Sequence, residues 1–205
     1  MALVKLNNRG VRSATTFGSI SNLGSMIFIK KQTASSSATI SFVDGTSDVV
    51  LDNTYKEYLF TFNNIHGETD DKAFTVGFRD GSTAYDATKT TTFFRAYHEE
   101  NDSATALAYG GGQDLAQSTD FQMLGVDAGN DNDQSTSGYM YLFNPSSTTF
   151  VKHFIAVTNC PTASDQSFHN FAAGYCNVTA AIDAVQFKMS SGDIDAGDIC
   201  LYGIN

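Results

Sequence analysis

Apolar residues recur with a period of two along most of this chain. Phe74, Val76 and Phe78 alternate with Thr75, Gly77 and Arg79, and Val185, Phe187 and Met189 alternate with Gln186, Lys188 and Ser190. Successive side chains of a strand point to opposite faces, so this pattern predicts strands with one face on a core. Two segments depart from it. Tyr58, Phe60 and Phe62 alternate, yet Leu59 leaves the opposite face partly apolar. Val151, His153, Ile155 and Val157 stand opposite Phe150, Lys152, Phe154 and Ala156, so both faces carry apolar residues. A strand apolar on both faces is sandwiched between layers or lies at a subunit contact.

Read this way, the chain holds strands at 3–8, 25–32, 38–43, 57–65, 73–79, 91–98, 120–126, 138–143, 149–158, 168–176, 182–190 and 198–204. Turn-formers separate them: Asp44-Gly45, Asn63-Asn64, Asp80-Gly81, Gly110-Gly111-Gly112, Asn144-Pro145 and Ser191-Gly192. The weakest segment, Glu99–Ala108, reads as a short helical turn. No window carries a longer helical stripe, no repeat is present and no heptads suggest a shaft. The expected fold is all-β, an antiparallel β-sandwich of jelly-roll type, with an extended N-terminal arm. Residues 1–24 form that arm or a first strand, and 25–205 form the sandwich.

Composition narrows the function classes. The 205 residues hold 25 aromatic side chains, all Phe or Tyr, which is too many for a disordered acidic chain. The net charge of −10 disfavours nucleic acid, whose phosphates such a surface repels. No run of 18 apolar residues predicts a membrane span. The opening nine residues lack the apolar region of a secretory signal. Charge is also divided along the chain. Lys5, Arg9, Arg12, Lys30 and Lys31 all precede the first acidic residue, Asp44. A cationic, Asn/Ser/Gly/Thr-rich arm on an acidic body is suited to docking the body on a larger assembly.

Candidate chemistry is sparse. Cys160, Cys176 and Cys200 have no CxxC spacing and read as reduced thiols; a Cys160–Cys176 pair stays open. His66, His98, His153 and His169 form no metal-binding spacing, and His98-Glu99-Glu100-Asn101-Asp102 reads as a solvated junction. No nucleophile elbow, P-loop or dinucleotide fingerprint is present, so no enzyme and no cofactor are expected. The oxygen-rich loop 127–133 makes Asp127, Asp131 and Asp133 weak calcium candidates, although it fails the EF-hand pattern at Gly129. Tyr85, Tyr97, Tyr109 and Tyr139 are the weak candidates for a glycan platform.

The stretch Ala181–Ile204 resembles the closing motif of a β-sandwich domain widespread in tailed phages. In it a strand ends in Ser190-Ser191-Gly192, a glycine-containing turn follows, and the chain closes on Leu201-Tyr202-Gly203. The segments Ala38–Phe42 and Tyr55–His66 are similar to the same family, with a Tyr-centred strand before an Asn-rich turn. His66-Gly67-Glu68 departs from it where related chains often carry Pro. The opening Met-Ala-Leu-Val-Lys-Leu-Asn-Asn-Arg resembles stand-alone members from phages of marine bacteria. The resemblance implies a non-enzymatic protein on the virion surface, assembled in the bacterial cytoplasm. It implies head decoration or cement, or a tail-body appendage, with major capsid or tail proteins as partners and a homotrimer as its state. The alternative is a carbohydrate-binding, receptor-recognition module of a tail fibre, with a host surface glycan as partner.

Overall fold

The computed structural model describes residues 25–205; the arm 1–24, with the expected strand 3–8 and with Lys5, Arg9 and Arg12, lies outside the described residues. Twelve strands and no helix make up the described chain. They are β1 (Met26–Thr33), β2 (Ile40–Val43), β3 (Glu57–Gly67), β4 (Lys72–Arg79), β5 (Lys89–Glu99) and β6 (Thr105–Tyr109). The second half supplies β7 (Gln122–Ala128), β8 (Thr136–Phe143), β9 (Lys152–Pro161), β10 (Gln166–Cys176), β11 (Ala184–Met189) and β12 (Ile194–Ile204). Asp44-Gly45 and Asp80-Gly81 fall in turns as expected, with Gly45 at φ +70° and Gly81 at φ +92°.

The strands form an eight-stranded sheet, β1-β12-β3-β8-β9-β10-β5-β6, and a four-stranded sheet, β2-β11-β4-β7. Eight of them give β1-β12-β3-β8 facing β2-β11-β4-β7. That order is a jelly roll: the chain crosses from sheet to sheet with nearly every strand, folding two Greek keys around one core. The other four strands are two added hairpins. One, β5–β6, is inserted between β4 and β7; the other, β9–β10, between β8 and β11. They pair with each other along β10 and β5 and extend the larger sheet past β8 as a four-stranded wing.

The core lies between the sheets. Phe187 on β11 sits at its centre, with ring centroids of Phe42, Phe60, Phe62 and Phe74 between 5.2 and 6.3 Å away. The inward residues of β9, Lys152, Phe154 and Ala156, are buried, while Ile155 points out. The small sheet is partly screened on its outer side by Phe121, whose ring lies over Gly77 with Lys188 Nζ 4.3 Å from its centroid. The ends of the described chain meet at one edge of the large sheet, where Asn205 N donates to Ser25 O (2.9 Å).

Two local expectations are corrected. The segment 99–108 is a hairpin, not a helical turn: Ser103 N donates to Asn101 Oδ1 (2.8 Å), Glu99 N donates to Ala104 O (3.0 Å), and β6 returns along β5. Asn, Asp and Ser favour that turn over a helix, whose backbone their side chains compete for. Asn63-Asn64 does not end a strand. Asn64 adopts φ +52° in a bulge, and β3 continues to Gly67.

Candidate functional site

The most unusual surface is the outer face of the large sheet. Strand registers carry one outward row across all eight strands: Lys31, Cys200 and Thr61 on β1, β12 and β3, then Tyr139, Val157, Phe171, Phe94 and Tyr109 on β8, β9, β10, β5 and β6. A second row runs beside it through Phe28, Tyr202 and Leu59, then Tyr141, Ile155, Ala173 and Thr92. Lys31, at the edge, is the one charged residue of the two rows. An antiparallel sheet with a core on one side ordinarily shows water a polar face. Here Phe28, Phe94, Ile155 and Tyr109 are 56, 41, 47 and 59% exposed. The rings are mutually ordered: Phe94 and Phe171 stack at 4.6 Å and 7°. His169 packs on Phe171, and His153 lies against Tyr175, beyond the rows on either side.

A different kind of site is an open cleft of about 500 Å³ lined by Asn64, His66, Asp133, Ser135 and Asp195. His66 Nδ1 lies 3.6 Å from Asp195 Oδ2, a pairing that resembles the orienting half of a catalytic triad. The other ring nitrogen is committed, however: Nε2 donates to Asn130 O (3.1 Å). That bond occupies the nitrogen that a triad would turn towards its serine.

The structure separates the sequence-predicted site residues. Asp127 Oδ2 is paired with Arg95 (3.2 Å), Asp131 N bonds Gln134 Oε1 (3.2 Å), and Asp133 faces the cleft. Asn130 pins this loop to the β3–β4 turn through Asp70 Oδ1 and Glu68 O. Among the described residues no three His, Cys, Asp or Glu side chains converge as a metal site would require, so the calcium trio is not assembled. The four tyrosines do not form one platform either. Tyr97 packs inward on Phe168 (5.7 Å). Tyr85 lies beside Phe121 on the small-sheet side. Tyr109 and Tyr139 share the open face four strands apart. Tyr109 OH donates to Asp114 Oδ2 (2.6 Å), which holds its pKa above the usual tyrosine value. Of the arm lysines, Lys31 Nζ is bonded to Asp198 Oδ2 (3.0 Å), and Lys30 lines a shallow groove with Gln32 and Thr46.

The cysteines are free and buried. Cys160 pairs in register with Phe168, and Cys176 with Lys152, at opposite ends of the β9–β10 hairpin. Eight residues of strand, about 26 Å, part Cys160's partner from Cys176, so a bridge between them is excluded.

Sequence reasoning did not single out Phe94, Phe171 and Ile155. The signal was present in the doubly apolar strand 150–157 and in the Phe93-Phe94 pair, one ring of which must face outward. Comparison with protein-family models, with curated proteins and with solved structures finds no match. No helix among the described residues is long and apolar enough to cross a membrane.

Proposed function

We propose that this chain is a non-enzymatic structural protein of the exterior of a tailed-phage virion, a head-decoration or cement protein or a tail-body appendage. It is assembled in the bacterial cytoplasm, associates with its own copies and docks on capsid or tail proteins through its cationic N-terminal segment. The observation that carries the reading is the apolar outer face of the large sheet, a surface suited to burial against protein rather than to chemistry. The phage assignment draws on the resemblance of 181–204 and 38–66 to the virion domain family. The imidazole of the His66–Asp195 cleft, bonded to a backbone carbonyl, fits a non-catalytic role.

The test is a cryo-EM reconstruction of the parent particle with this chain traced into density. Copies on the shell, with residues 1–24 against the major capsid protein, establish decoration. Density on the tail establishes the appendage, and a particle without the chain refutes the reading. A glycan-recognition module is the second reading. It draws on Tyr109, an exposed ring beside the Asp114 carboxylate. Glycan-array binding lost in Tyr109→Ala supports it, and a blank array removes it.

A further inference from the structure

We propose that a second copy of this chain seats on the outer face of the eight-stranded sheet, like face to like face about a two-fold axis. The inference does not depend on the virion reading; it concerns what covers the two apolar rows wherever the protein works.

The composition of the face is that of an interface. Its central rows are mainly aromatic and aliphatic, with Cys200, Thr61 and Thr92 among them, and carry no charge inside the Lys31 edge. Outside them lie His169, Asn159 and Asp198 on one side, and Glu57 and His153 on the other. A charge-depleted, aromatic-rich centre with a polar rim distinguishes interface cores from ordinary surface.

The dimensions identify the occupant. Eight strands at about 4.8 Å spacing span about 34 Å, and the two rows together with the polar row on either side occupy eight residues of strand, about 26 Å. The resulting area, roughly 850 Å², is close to the ~800 Å² that each partner contributes to a stable interface. One extended pass of residues 1–24 covers a strip about 10 Å wide, less than half of the roughly 26 Å face, and sets the polar, cationic sequence around Lys5, Arg9 and Arg12 on rings that offer it no acidic partner. A basic or acidic partner gains nothing at the centre, where no opposing charge waits. A second copy brings the same area, the same neutrality and the same rings. Two such sheets stack about 10 Å apart with strands inclined by about 30°, as sandwiched sheets do.

Width also separates a two-fold pair from the threefold set that the resemblance implies. Three flat faces of about 34 Å around an axis stand about 10 Å from it, twice the ~5 Å that inward side chains of one sheet fill. A threefold arrangement leaves the middle of the face unfilled, and a two-fold one does not.

Each copy carries a net charge of −10, so copies repel at a distance while their contact faces are neutral. Pairing therefore strengthens as salt rises, the reverse of an ion-paired contact.

The experiment is sedimentation equilibrium of the full-length chain up to about 100 µM, at roughly 0.05 and 0.5 M salt. The expected species is a dimer with twice the 22.1 kDa chain mass, tighter at the higher salt. Ile155→Asp, at a 47% exposed position, weakens pairing by about 100-fold or more with the circular dichroism spectrum unchanged. Should that variant fail to fold, Leu107→Lys on β6, 73% exposed, serves as the second probe and weakens pairing as well. Lys188→Glu, on the opposite sheet, leaves the dimer intact. A monomer at both salts, a trimer, or a dimer indifferent to both face variants overturns the proposal.

Discussion

Lys152, Cys176 and Lys89 stand side by side on β9, β10 and β5, all pointing inward and all without solvent exposure. Each lysine spends its ammonium on backbone carbonyls at the strand ends: Lys89 Nζ donates to Ala87 O (2.7 Å), Lys152 Nζ to Val178 O (2.8 Å). Burial lowers both lysine pKa values and pushes the Cys176 thiol up to about 12, and the Cys160 thiol up to about 11. A raised thiol pKa means that the folded state keeps a proton the unfolded state gives up above the thiol's ordinary value of 9.0. That stabilisation is complete below pH 9 and is lost as pH rises towards 12. The lowered lysines act in the opposite sense, so a variant comparison isolates the thiol. Between about pH 8 and pH 10.5, urea titration shows the wild type losing roughly 1–2 kcal/mol more stability than Cys176→Ala. Both thiols also resist an aromatic disulfide reagent at neutral pH until the chain is unfolded, because the thiolate is the reactive form. At the centre of the core, Phe187→Ala removes a ring in contact with four others and costs about 3–5 kcal/mol in the same titration.

The elements divide into a jelly roll and a wing, and the join between the two added hairpins is the β10–β5 ladder. Gly174 permits that join: a Cβ there would stand 2.6 Å from Thr90 O and 2.9 Å from Thr91 Cα, both on the neighbouring strand. Gly174→Val therefore forces β10 from β5 at a cost of about 1–3 kcal/mol. Amide hydrogen exchange locates the damage: β5 and β6 lose protection while β3 and β12 keep theirs. The period-two pattern made eleven of the twelve observed strands legible, because most of them bury one side against the core, as β9 does with Lys152, Phe154 and Ala156. β6 was illegible for the complementary reason. All five of its residues are exposed, so Thr-Ala-Leu-Ala-Tyr shows no alternation to read. The bulge at Asn64 was misread as a strand end, since an Asn pair favours a turn and a bulge alike. The open face was half legible. Doubly apolar strands announced a contact, but only the registers reveal that Tyr139, Val157, Phe171, Phe94 and Tyr109 form one row. The cleft around His66 and Asp195 joins residues more than a hundred positions apart, which no local spacing could announce.

Across the whole molecule, two modes of association are separable by their response to salt. Docking of the cationic segment on an acidic partner weakens as ionic strength rises, whereas burial of the neutral sheet face between two acidic bodies strengthens. Deleting residues 1–24 abolishes co-sedimentation with particles that lack this protein while leaving the far-ultraviolet spectrum of the sandwich in place; a truncated chain that still binds refutes docking by the segment. Ile155→Asp has the converse profile, losing the pair but retaining the docking segment.

The contact between Ser25 and Asn205 has a practical consequence. Anything fused after Asn205 emerges beside Ser25, on the β1 edge, next to the start of the segment proposed to dock. A reporter is better carried in the loop at Gly111-Gly112, where no neighbouring atom lies within 4 Å of an added Cβ. That loop follows β6, at the far edge of the sheet, so a label there leaves the docking corner unobstructed.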